Sequence, residues 1–131
     1  MKRSGRIRTK PSPRREAETE ALATAREAVF ARSRLRCEVC GGRASDYSHR
    51  RTRAVRGEHQ HCPCNALAAC RTCHRRMHDG PEAARFRGWH VSSAEAEPGS
   101  VPVYLPFRQG WFLLGCDGSM SRTEVPVDDG A

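Results

Sequence analysis

The sequence has little that is apolar and no long apolar run. Apolar residues make up 37% of the 131 residues and aromatics 6%, and no stretch approaches the roughly 20 consecutive apolar residues that cross a bilayer. No membrane partner is expected. The basic start MKRSGRIRTKPSPRR runs into a Glu/Ala-rich stretch instead of an apolar signal core, which predicts a chain kept in the reducing cytoplasm. Lysine is nearly missing as well: 21 of the 23 basic residues are arginine, whose planar fork grips phosphate through two hydrogen bonds. There is no internal repeat.

What is abundant is positive charge, cysteine and histidine. The formal charge is +8, with seven cysteines and six histidines. The charge is uneven: residues 1–89 carry 21 basic and 9 acidic side chains, whereas residues 90–131 carry 2 and 6. The partner-facing charge therefore lies in the first two thirds, and DNA is the expected partner. In a reducing compartment, paired cysteines read as metal ligands before disulfides.

The chain divides into four parts. Residues 1–15 are basic, have one large apolar residue (Ile7), and are expected to be a disordered tail. Ser12 followed by Pro13 is a helix start, and the Ala/Glu/Arg-rich run from about 14 to 34 has high helix propensity, giving an N-terminal helix at 16–36 with a thin stripe of Ala21, Leu22, Ala25, Ala28 and Val29. Residues 37–79 hold six cysteines and five histidines but few large apolar groups, so metal is expected to replace a hydrophobic core. In residues 80–131, PEAARFR reads as a short helix, SSAEAEPGS as a linker, and VPVYLP with GWFLL as a β-hairpin followed by an acidic tail. The fold class is α+β.

Cys37 and Cys40 in CEVCGG form one knuckle and Cys70 and Cys73 in CRTC a second, together a four-thiolate site for structural Zn²⁺. The 29 residues between Cys40 and Cys70 are then an insert clamped by zinc. His74 and His78, four apart on an expected helix, present both imidazoles on one face at chelating distance. Cys62 and Cys64 in HCPCN either add a metal ligand or are two small buried residues, the second being preferred. His59 and His61 read as exposed or phosphate-contacting, and His90 and Cys116 as structural.

These residues resemble the HNH endonucleases with a ββα-metal core, in the small zinc-knuckle form encoded by bacteriophages. The resemblance covers residues 37–78 and continues weakly through RGWHV, VPVYL and GWFLL. It rests on His49 in YSHRR, Asn65 in CPCNALAAC and His74 in CRTCH, in order and between the knuckles. It implies a ββα-metal core stapled by the four-cysteine zinc, preceded by a helix and followed by a short helix and hairpin, in the cytoplasm of a bacterial host. It also implies that His49 is the general base, that His74 with His78 ligates a catalytic Mg²⁺ or Mn²⁺, and that Asn65 bonds loop backbone and holds His49 in place. The products would carry 5′-phosphate and 3′-hydroxyl ends.

One position departs from the family pattern. The residue before the base, usually an Asp or His ligand, is Ser48, and Asp46 on the same side of a strand is the candidate substitute. Arg50, Arg51, Arg53 and Arg56, with Arg75 and Arg76 on the helix, are expected to contact phosphate without reading sequence. The alternatives are a zinc-stabilised nucleic-acid-binding module impaired in catalysis by Ser48, or an adaptor in a phage packaging complex that engages terminase or portal proteins.

Overall fold

The computed structural model describes residues 10–52, 57–93 and 97–126. Helix α1 spans Pro13–Ser33, with Ser12 accepting a hydrogen bond from the Arg15 N–H and Pro13 in the first helical position. The predicted tail therefore ends earlier than 15. Residues 1–9 lie outside the described part, and Pro13, Arg14 and Arg15 are already helical. The helix also stops before 36, because Arg34 and Leu35 turn into the left-handed region at φ 54° and 63° and satisfy the last carbonyls.

Strands β1 (Asp46–His49) and β2 (Ala66–Ala69) pair antiparallel, with His49 opposite Ala66 and Asp46 opposite Ala69. Helix α2 (Arg71–Asp79) follows at once, capped by the Cys70 side chain, and α3 (Pro81–Phe86) begins after Gly80. The sheet is covered on both faces. Tyr47, Ala66 and Ala68 pack against Val29 and Phe30 of α1, whereas Leu67 and Ala69 pack against Cys73 and Met77 of α2. The two-residue period of the strand thus sends Tyr47 and His49 one way, Asp46 and Ser48 the other.

The C-terminal part holds three strands where the sequence predicts two. β3 (Val103–Leu105), β4 (Gly110–Leu114) and β5 (Met120–Thr123) form an antiparallel sheet in that order. β5 lies in the stretch read as the acidic tail. Its sequence MSRT shows no apolar alternation because only Met120 of this edge strand packs, half-buried, on the core. Val103, Leu105, Phe112 and Leu114 join Leu67, Met77 and the sulfurs of Cys37, Cys64 and Cys73 in one core.

Two buried arginines link these parts. Arg32 of α1 makes a two-pronged pair with Glu38, at 2.8 and 2.9 Å, and also donates to the carbonyls of Pro63 and Ala66. Glu38 in turn accepts from the Ala68 N–H at 2.9 Å, so one buried carboxylate ties α1, the first knuckle and β2 together. Arg50 is fully buried and donates to the carbonyls of Cys64, Gly88, Pro98 and Val101. Those bonds fix the end of the segment read as a linker. They also correct the reading of Arg50 as a phosphate contact, since its guanidinium faces the interior.

Candidate functional site

The two knuckles converge. Cys37 and Cys40 lie in a turn bent by Gly41 at φ 79°, and a Cβ there would strike the ring of Phe107. Cys70 and Cys73 lie at the start of α2. The four sulfurs are all within 4.8 Å of one another, and Cys40 Sγ and Cys70 Sγ are 3.7 Å apart. A tetrahedron with Zn–S bonds of about 2.3 Å has edges of about 3.8 Å, so the donor set fits zinc. Backbone N–H groups of Cys40, Gly42 and Cys73 point at the Cys37, Cys40 and Cys70 sulfurs at 3.4 to 3.5 Å. The Cys73 N–H is the main cause that brings the Cys70 thiol down to about 7, which favours the thiolate a metal needs. Burial pushes the Cys73 thiol up.

α2 carries the second feature. His74 Nε2 and His78 Nε2 face each other at 3.1 Å. Two imidazole nitrogens at right angles on one ion, each about 2.1 Å from it, would be about 3.0 Å apart. Behind His74, Asp46 Oδ2 lies 2.9 Å from Nδ1 and 3.1 Å from Arg71 Nε, while Oδ1 accepts from Ser45. The His74 contact is the largest cause holding the Asp46 carboxyl down at about 2. An ionised carboxylate only accepts, so His74 Nδ1 donates, and Nε2 is the ring nitrogen turned towards His78.

Asp46 is therefore not in the place expected of a direct ligand. It orients His74 from the far side of the ring, as carboxylates commonly do for metal-binding histidines. Ser48 is buried and donates to the Met77 sulfur at 3.6 Å, so it points into the core.

His49 ends β1 on the opposite face. Its Nε2 lies 3.3 Å from His61 Nδ1, and His61 Nε2 lies 3.1 Å from Glu18 of α1. This corrects the reading of His61 as exposed: its side chain is 5% accessible. No signal in the sequence marks the Glu18–His61–His49 chain, because Glu18 comes from a helix 31 residues ahead of His49 and shares no motif with it. Asn65 is buried; its Oδ1 accepts from the Arg51 N–H at 2.8 Å and its Nδ2 donates to the Gln60 carbonyl at 3.1 Å. Its own carbonyl accepts from the Arg50 N–H, so both strand ends beside His49 are held.

A cavity of about 440 Å³ joins the two histidine groups, lined by His49, Thr52, His74, His78, His90 and Arg26 among others. His90, read as structural, stands on its wall. Arg75 and Arg76 are exposed on α2. Arg51 is mostly covered and faces Glu97 and the Ser92 carbonyl, while Arg53 and Arg56 lie outside the described residues.

A second group forms at Cys62 and Cys64, where a metal ligand is the less preferred of the two sequence readings. His59, Cys62, Cys64 and Cys116 bring one ligand atom each to within 4.8 Å of the others, so this group, like the first, could hold a metal ion. Neither the preferred reading of Cys62 and Cys64 as small buried residues nor the structural reading of Cys116 points to it.

Comparison of the chain with protein-family models, with curated proteins and with solved structures gives no match.

Proposed function

We propose that the chain is a metal-dependent endonuclease of the HNH type that hydrolyses DNA phosphodiester bonds with little sequence preference. The observation that carries this reading is the shared cavity, with His49 on one wall and the facing Nε2 atoms of His74 and His78 on another. A bound Mg²⁺ or Mn²⁺ would offset charge on the scissile phosphate and on the leaving 3′ oxygen. His49, as a neutral imidazole, takes the proton of the attacking water. His61 is a positioning residue: held by Glu18, it fixes the rotation of the His49 ring. Asn65 fixes the backbone on which His49 stands. Arg75 and Arg76 on α2, with Arg26 at the cavity wall, supply the positive surface that receives the duplex backbone.

The four-cysteine zinc supports the site without taking part in chemistry. It joins the turn after α1 to the start of α2, and so sets where α2 presents His74 and His78.

The test is incubation of supercoiled plasmid with zinc-loaded protein and Mg²⁺ or Mn²⁺. The expected result is a relaxed circle with 5′-phosphate ends, then linear product. The burial of Ser48 against Met77 favours a second reading, a binding module without turnover. That reading gives salt-sensitive DNA binding and an intact plasmid in every divalent metal.

A further inference from the structure

We propose that His59, Cys62, Cys64 and Cys116 form a second structural zinc site, which fastens the β4–β5 turn to the loop that carries His61. Three of its ligands come from the loop between β1 and β2. The fourth, Cys116, arrives from a turn 57 positions beyond His59. Nothing local in the chain brings that sulfur there; the packing of the three-stranded sheet does.

The distances suit a tetrahedral ion. His59 Nδ1 lies 3.7 Å from Cys116 Sγ and 3.9 Å from Cys64 Sγ. With bonds of about 2.0 Å to nitrogen and 2.3 Å to sulfur, a tetrahedral N–S edge is about 3.5 Å, so these two edges need close by only a few tenths of an ångström. Three thiolates and one neutral imidazole leave a zinc site with one net negative charge. The buried guanidinium of Arg50 stands beside it, donating to the Cys64 carbonyl at 2.9 Å.

The need for such a clamp follows from the turn. Residues Gly115–Ser119 are polar, and of the β5 residues Met120 alone packs on the core, half-buried. Asp117 closes the turn by accepting from the Ser119 N–H, and Gly118, at φ 86°, passes close to Ala28 of α1. Apolar burial at this edge comes down to Met120, and a metal ion adds the fastening that it lacks, as in other small cysteine-rich folds. Because His61 sits between the ligands His59 and Cys62, the same ion would fix the loop that touches His49. The proposal does not depend on the nuclease reading.

The experiment is a zinc count by native mass spectrometry on the full chain purified without chelator. Two zinc ions per chain are expected in the wild type, and one in the double variant Cys62→Ser/Cys116→Ser; exchanging one ligand type for another, as Cys116→His on the wild-type background, keeps two. Cobalt substitution gives an independent reading that needs no variant. The thiolate-to-cobalt charge-transfer band should match seven Co–S bonds and not four. One ion per chain in the wild type, two in the double variant, a four-bond cobalt band, or a disulfide among Cys62, Cys64 and Cys116 would each overturn the proposal.

Discussion

Asp46 accepts a hydrogen bond from His74 across 2.9 Å, on the side of the imidazole away from His78. That contact decides which nitrogen of His74 is left for a metal. Asp46→Asn keeps the shape but removes the charge behind the ring. The expected effect is a weakening of Mn²⁺ affinity by about 10- to 100-fold, with the rate at saturating Mn²⁺ nearly unchanged. Titrating plasmid cleavage against Mn²⁺ checks it.

The same contact has a signed pH dependence. The Asp46 carboxyl is held at about 2 against its ordinary 3.8, so its contribution to stability is present above about pH 4 and is lost as pH falls towards 2. Between about pH 5 and 8 the stability gap between wild type and Asp46→Asn should be flat. Denaturant unfolding of zinc-saturated protein across that range measures it. A gap closing near pH 6 or 7 would place the titration on the histidine instead.

His49→Ala should lower cleavage by about 10²- to 10⁴-fold, the usual contribution of a positioned general base. His61→Gln should cost on the order of 10- to 100-fold in kcat with KM for plasmid little changed, because it misplaces the base without touching DNA. Single-turnover and steady-state rates on the same plasmid separate the two effects.

The four-cysteine group is legible in the sequence, and its geometry is not. Cys37, Cys40, Cys70 and Cys73 are readable because ligand spacing within each knuckle is local. Ser12 and Pro13 mark the start of α1 for the same reason. Arg50 is misleading because a charged residue in a polar run looks solvated, and only the fold shows four carbonyls closing around it. Cys116 and Glu18 are out of reach because their partners are distant in the chain. β5 escapes notice because an edge strand with one half-buried apolar residue, Met120, carries no hydrophobic period.

The Arg32–Glu38 pair gives a stability prediction. Glu38→Gln leaves a buried guanidinium without its carboxylate and should destabilise the protein by about 3–5 kcal/mol. The double variant Arg32→Met/Glu38→Gln should lose less than the sum of the two single variants, because each single change already strands its partner. Denaturant midpoints of the zinc-saturated proteins measure both.

Zinc removal should cost the tertiary fold, since sulfur ligands stand among the core residues beside Leu67, Met77 and Leu105. A chelator strong enough to strip the four-cysteine site is expected to abolish near-ultraviolet dichroism, and added zinc to restore it.

The central claim is that the facing nitrogens of His74 and His78 anchor the ion that cleaves DNA. Anomalous diffraction from crystals soaked in Mn²⁺, recorded on both sides of the manganese edge, tests it most directly. The account predicts a manganese peak bonded to both Nε2 atoms and open to the cavity that His49 lines. No manganese at that pair, or manganese only among the cysteines, would contradict it.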